Sequence, residues 1–303
     1  MSGTASAARP SGLRIWLMAS RPRTLPAGLS PVLVGTALAD SHGAFHILRF
    51  LAALIGALLI QVGANLSNDY SDARRGADTE DRLGPVRVTA GGLVPPRQVL
   101  MATYITFGLA LLVGVYLVVV AGWQLLLIGL LSIAAGVLYT GGPRPYGYDG
   151  LGEVFVFLFF GVVAVAGSYF VETRHLDYAS VALAVPVGLL AAAILVVNNT
   201  RDIDTDRRAN KRTLAVRMGR ENSRRFYAAL LLGAYGLLAV VILTAGLSAW
   251  ALIALLSLPL ARRLIRTVMG SSDGPTLNGV LAGTGQLQLV FCVLVSAGLL
   301  IGH

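Results

Sequence analysis

The chain has little charge. Asp, Glu, Lys and Arg make up 13% of its 303 residues, about half the share of soluble domains. That scarcity argues against an ordinary cytosolic globular enzyme. Cysteine is nearly absent as well. Cys292, inside an apolar run, is the only one, so neither a disulfide framework nor a thiolate metal site is available. Lysine is reduced to Lys211, and arginines supply the rest of a net charge of +9. In a soluble chain such an excess would suggest nucleic acid. In an apolar chain it marks cytoplasmic loops, so no nucleic-acid partner is expected.

Apolar sequence fills the chain instead: 55% of residues are hydrophobic, with a mean hydropathy of +0.73. At about 20 residues per spanning helix, the expected fold is an all-α polytopic membrane protein, a bundle of about nine transmembrane helices surrounded by lipid. Apolar runs lie at 24–39, 47–66, 99–121, 123–140, 153–171, 179–198, 225–245, 247–261 and 279–302. The first is short and carries Pro26 and Pro31. Residues 1–23 are then a cytoplasmic N-terminal segment, and 24–303 one membrane domain. With the N-terminus inside, every basic residue except Arg49 and Arg174 falls in or beside a cytoplasmic segment. This is the positive-inside asymmetry, and it directs the long polar loops, with their chemistry, to the cytoplasm.

Two of those loops are rich in Asn and Asp. The first follows the second span: Asn65, Asn68, Asp69, Asp72 and then Asp78. On a continuing helix Asn65, Asp69 and Asp72 share one face. The second follows the sixth span, where Asn198, Asp202 and Asp206 recur every four residues and Asp204 points away. Four spans separate the two segments, so their helices run the same way and the acidic faces oppose each other. One such segment reads as a solvated loop end; two on one membrane side read as a site. Facing carboxylates repel by about 2.8 kcal/mol per pair at ~6 Å and an effective dielectric of ~20, so the cluster is expected to need a cation. Oxygen ligands suit Mg²⁺ rather than zinc, and Mg²⁺ usually bridges carboxylates to substrate phosphates. Arg74, Arg75, Arg82, Arg87, Arg201, Lys211, Arg212 and Arg217 accompany these segments. Among them Arg201 and Lys211 lie nearest the second acidic face.

These motifs resemble those of the UbiA-type intramembrane prenyltransferases. Asn68-Asp69-Tyr70-Ser71-Asp72 with Asp78 is similar to the first aspartate-rich motif, and Asp202-Ile203-Asp204-Thr205-Asp206 to the second. The branch that acts on 1,4-dihydroxy-2-naphthoate in menaquinone biosynthesis is resembled through four further stretches. They are Arg21-Pro22-Arg23-Thr24-Leu25, Val88-Thr89-Ala90-Gly91-Gly92, Tyr139-Thr140-Gly141-Gly142-Pro143 with Tyr146-Gly147-Tyr148, and Asn198-Asn199-Thr200-Arg201-Asp202. The run from Lys211 to Gly219 fits as well. The resemblance implies transfer of a polyprenyl group from polyprenyl diphosphate to that naphthoate with loss of CO₂, in a bacterial plasma membrane. It implies Mg²⁺ held by Asp69, Asp72, Asp78, Asp202 and Asp206. Lys211 and Arg201 would assist the chemistry, and Asn65, Asn68, Asn198, Arg23, Arg74, Arg144, Tyr139 and Tyr148 would contact substrates. Other acceptors (4-hydroxybenzoate, homogentisate, a chlorin) and a cation transporter are the alternatives.

Several residues outside the motifs carry simpler expectations. His42 and His46, opposite the acidic side, read as solvated. Gln286 and Gln288 read as interhelical hydrogen bonds. Phe155, Phe157, Phe159 and Phe160 suit either a prenyl tail or ordinary packing.

Overall fold

The computed structural model describes residues 11–77 and 83–302, and among them it contains helices and no strand. The helices are α1 (Gly12–Ser20), α2 (Leu25–Ser41), α3 (Ile47–Arg74), α4 (Pro96–Ala121), α5 (Gln124–Leu138), α6 (Gly152–Thr173), α7 (Tyr178–Arg201), α8 (Ile203–Arg208), α9 (Leu214–Thr244), α10 (Leu258–Gly270) and α11 (Gly274–Ile301). Six of them, α3, α4, α6, α7, α9 and α11, are long and apolar enough to cross a membrane. α2, α5 and the Ala249–Ser257 to α10 stretch coincide with the other three runs. That last stretch is not one straight helix. A 3₁₀ segment over Ala249–Ser257 gives way to α10, with Pro259 in the first turn of the new helix, where a missing N–H costs nothing.

α7 is the central helix. In its apolar window 78% of residues are buried by protein, against 17% in α3 and α4. Small residues let neighbours approach it closely, as lipid-embedded packing requires. A Cβ on Gly161 of α6 would lie 2.6 Å from the Cα of Gly188, so the two backbones touch there. The contact falls within a π-helical turn of α6, Leu158–Val163. Leu183 and Leu190 of α7 join Tyr227, Leu231 and Leu238 of α9 and Leu287 and Phe291 of α11 in the main core.

At the other end of α7, Asp177 caps the helix. Its carboxylate accepts from the Ser180 N–H at 2.8 Å and from the Tyr169 hydroxyl at 2.9 Å. Burial raises this carboxyl, but those hydrogen bonds and nearby His42 outweigh it and leave Asp177 below its usual range. His42 Nδ1 sits 3.0 Å from the Tyr169 hydroxyl, and His46 Nδ1 3.3 Å from Glu172. The two histidines are exposed, as expected, at 39% and 53%, and they also tie α2 and the start of α3 to α6. α1, within the expected N-terminal segment, packs Ile15 and Ala19 with Leu66 of α3.

Gln288 departs from expectation more sharply. It is fully buried in α11, and neither amide atom has a hydrogen-bond partner. A buried unpaired polar group costs about 1–3 kcal/mol. Gln288→Leu should therefore raise the melting temperature in detergent by about 2 °C or more. A lower melting temperature would show that the amide is solvated internally.

Candidate active site

α3 runs beyond its apolar stretch and carries Asn65, Asn68, Asp69 and Asp72 into the protein interior. Asp72, 2% exposed, is the hub. It accepts from the Tyr148 hydroxyl at 2.6 Å and from Arg87 Nη2 at 2.8 Å, with Lys211 Nζ 3.5 Å away. The Lys211 ammonium also lies 4.6 Å from the centre of the Tyr148 ring, a cation–π contact. Lys211 reaches this point because Asn210 adopts φ 56° and the Lys211 N–H returns to the Asp206 carbonyl at 2.8 Å.

Asn68 and Asn65 are fixed by neighbours. The Thr140 hydroxyl donates to Asn68 Oδ1 at 2.9 Å, and Asn65 Nδ2 donates to the Ser20 carbonyl at 2.9 Å. Asp69 faces elsewhere. Its oxygens accept the backbone N–H groups of Val88 and Thr89, at 3.1 and 2.9 Å. It thereby pins the Val88–Gly92 turn, in which Gly92 takes φ 66°, a value that suits glycine.

The second acidic segment is less regular than its spacing suggests. α7 ends at Arg201, Asp202 sits at the break, and α8 restarts at Ile203. The Asp206 N–H still donates to the Asp202 carbonyl at 2.8 Å, so the four-residue repeat survives. Asp204 points outward to Arg220 at 2.8 Å, as its angle on the helix requires. Arg201, expected at a diphosphate, is 1% exposed and occupied. Both Nε and Nη2 donate to Asp202, Nη2 also to Asn198 Oδ1 at 3.0 Å, and Nη1 to Asn278 Oδ1 at 2.6 Å. A buried guanidinium needs such partners, and here they make Arg201 a support for Asp202.

A cavity of about 380 Å³ joins the two segments. Asn68, Asp72, Asn198, Asp202, Asp206 and Lys211 line its polar end, with Tyr139 and Tyr148 beside them. Phe155, Phe159 and Phe160 line its apolar part, next to the π turn of α6. Phe157 instead packs against the core. A second cavity of about 430 Å³ shares Arg21, Arg87 and Asn198 with the first and adds Arg23, Asp69 and Arg201.

Not every expected residue reaches the site. Arg74 is exposed and donates to the Tyr70 hydroxyl at 3.2 Å. Two residues beyond Asp72, it lies about 200° around the helix. Arg144, 89% exposed, pairs with Asp149 at 3.4 Å. Neither lines either of these two cavities. Asp78 and Arg82 lie outside the described residues. Thr140 and Asn199 line the first cavity, with Glu153 behind Asn199, without having been expected as site residues. A lone acid opening an apolar helix is the signal that points to Glu153.

Ion pairs offset part of the carboxylate repulsion that the sequence expects a cation to relieve. Arg87 and Lys211 neutralise Asp72, Arg201 neutralises Asp202 and Arg220 neutralises Asp204. Among the described residues no three Asp, Glu, His or Cys side chains form a ready-made cage. The donor set that remains, carboxylate and amide oxygens on two sides of one cavity, fits a hard ion completed by phosphate oxygens.

Asp72→Asn would leave two buried cations short of a counter-charge. Such losses cost about 3–5 kcal/mol, so its melting temperature should fall well below wild type. Asp204→Asn removes a pair whose carboxylate is 62% exposed, worth at most about 1 kcal/mol. Thermal unfolding of both variants checks this, and equal shifts would contradict the burial argument.

Residues 28–278 match the UbiA prenyltransferase family. The chain is 41% identical over 299 residues to the 1,4-dihydroxy-2-naphthoate octaprenyltransferase of Escherichia coli K12, covering 97% of each. It is 42% identical over 288 residues to the enzyme of that name from Mycobacterium tuberculosis, covering 95% of this chain and 97% of the relative. Its fold is similar to an apo UbiA homolog from Aeropyrum pernix K1, with a TM-score of 0.69 at 16% identity over 91% of this chain and 97% of that one. A UbiA homolog from Archaeoglobus fulgidus bound to GPP and Mg²⁺ gives 0.65 at 17% identity, over 93% and 99%. With a family match over most of its length and relatives above 40% identity, the chain belongs to the UbiA prenyltransferase family.

Proposed function

We propose that the protein transfers a polyprenyl group from polyprenyl diphosphate to 1,4-dihydroxy-2-naphthoate with loss of CO₂, giving demethylmenaquinol, the reduced form of demethylmenaquinone, for menaquinone biosynthesis. The observation that carries this reading is a single cavity with an acidic and cationic end and an aromatic, apolar body. A diphosphate joined to an isoprenoid tail has the same two-part chemistry. The acceptor is taken from the E. coli and M. tuberculosis relatives, whose names specify it.

Mg²⁺ is the proposed metal, since the A. fulgidus homolog is bound to Mg²⁺ with GPP. Asp72, Asp202 and Asp206 would hold it, assisted by Asn68 and Asn198. When bound, it supplies Lewis acidity and positive charge toward the leaving diphosphate. Asp69 serves the site indirectly, by fixing the turn that follows Arg87. Arg87 and Lys211 stand where negative charge grows as the allylic C–O bond breaks and its electron pair leaves with diphosphate. The electron-rich naphthoate ring attacks the allylic carbon, and the carboxylate departs as CO₂. Phe155, Phe159 and Phe160 hold the tail away from water.

Nine membrane crossings, a single domain over 24–303 and a site facing the cytoplasm complete the proposal. The clustering of Arg and Lys in alternate loops supports that orientation.

Protein purified into nanodiscs, given polyprenyl diphosphates and a panel of aromatic acids, should prenylate and decarboxylate the naphthoate. EDTA should abolish the reaction and Mg²⁺ restore it. Preference for 4-hydroxybenzoate or homogentisate would overturn the acceptor, and activity after thorough chelation would overturn the metal.

A further inference from the structure

We propose that Glu153 is a positioning residue for Asp202, acting through a one-way chain of hydrogen bonds along Asn199, Asn198 and Arg201. The inference rests on the reading that Asp202 helps hold a divalent ion against diphosphate.

The chain has a fixed direction. At one end Arg201 Nη2 donates to Asn198 Oδ1 at 3.0 Å, and a guanidinium can only donate. Asn198 must therefore turn its amide nitrogen the other way, and Nδ2 donates to Asn199 Oδ1 at 3.4 Å. Asn199 Nδ2 is left facing Glu153, and it donates to Oε1 at 2.8 Å. A carboxyl oxygen accepts there and closes the chain. Flipping either amide would set two donors or two acceptors face to face. At the Glu153 end water is poorly placed to relieve such a clash, because Glu153 and Asn199 are each 4% exposed.

Packing does not account for a carboxyl group at position 153. Glu153 opens apolar α6, and its Oε2 is buried without a hydrogen-bond partner. An idle buried oxygen is a cost, whereas leucine would fill similar space without it. The other oxygen, Oε1, meets the amide whose direction it sets. Asn198, Asn199 and Asp202 line the cavity, while Glu153 lies behind them. With both amides fixed, Arg201 keeps Nε and Nη2 on Asp202 and holds that carboxylate in one orientation at the cavity wall.

The test reads metal binding rather than turnover. Free Mn²⁺ is followed by electron paramagnetic resonance as it is titrated into purified protein with inorganic diphosphate, and the melting temperature is measured alongside. Glu153→Gln keeps an acceptor oxygen and should bind Mn²⁺ like wild type. Glu153→Leu removes the acceptor. It should weaken Mn²⁺ binding about tenfold, the usual effect of losing a partner behind a metal ligand, while melting near the wild-type temperature, since the unpaired Oε2 is removed as Asn199 Nδ2 loses its acceptor. Asn199→Asp sets a second carboxylate against Glu153 and should weaken binding at least as much. In the double variant E153Q/N199D, the amide introduced at position 153 donates to one oxygen of the carboxylate introduced at position 199, and the other oxygen accepts from Asn198. The direction toward Arg201 is restored, so binding should recover toward wild type, a non-additivity that loss of packing would not produce.

Wild-type affinity in Glu153→Leu, or a folded double variant no better than Asn199→Asp, overturns the proposal. If Glu153→Leu does not fold, the size-conserving pair N199D and E153Q/N199D decides alone. Wild-type protein that binds Mn²⁺ and diphosphate but prenylates no naphthoate would sink the functional reading and leave this one standing. Wild-type protein that binds no Mn²⁺ would overturn both.

Discussion

An ionised carboxylate removed from water needs positive or donor partners, and meeting that need at Asp72 organises the polar end of this protein. Its partners come from three loops: Arg87 from the one after α3, Tyr148 from the one after α5 and Lys211 from the turn after α8. None of these loops is close to another in sequence, yet each must reach the same two oxygen atoms. The backbone hydrogen bond from Arg212 to the Tyr148 carbonyl, at 2.8 Å, joins two of them directly. Asp69, one residue short of a full helical turn earlier, fixes the third by holding Val88 and Thr89. One turn of α3 thus assembles loops that would otherwise have little to fold against.

α7 supplies the opposite wall. Its alanines and Gly188 let α6 and α9 pack tightly around it, and its final turn brings Asn198, Asn199 and Arg201 to the edges of the two cavities. The two walls solve the same electrostatic problem in different ways. Asp72 shares two cations from distant segments, whereas Asp202 is paired with its sequence neighbour Arg201. In the proposed reaction an incoming diphosphate adds negative charge and the metal adds positive charge. Lys211 and Arg87, shared with Asp72, are then the cations placed to turn toward the substrate.

The fold class is legible in the sequence because a low charge content and nine apolar runs admit few other readings. The spacing of the second acidic segment is legible too, since Asn198, Asp202 and Asp206 keep a helical repeat across the break at Asp202, whereas Asp69 leaves the expected first face to hold Val88 and Thr89. Partnership is harder to read. Arg201 stands beside the acidic face in sequence, but burial turns it inward, a tertiary effect that spacing does not encode. Arg74 and Arg144 look alike as loop arginines, and only the helix angle and the exposed stretch from Gly142 to Arg144 send them to the surface. Glu153 escapes notice because it is a single acid beside a long apolar stretch, and its partner Asn199 lies 46 residues away.

In the proposed reaction, carboxylates from α3 and from the α7–α8 junction grip one metal–diphosphate assembly inside a shared cavity. The position of Mn²⁺, located by anomalous scattering in crystals grown with a non-reactive prenyl diphosphate analogue, tests this most directly. Mn²⁺ should lie between Asp72 and the Asp202–Asp206 pair, with the tail running past Phe155 and Phe159. Mn²⁺ bound at Asp69 in the second cavity, or away from both acidic segments, would contradict it.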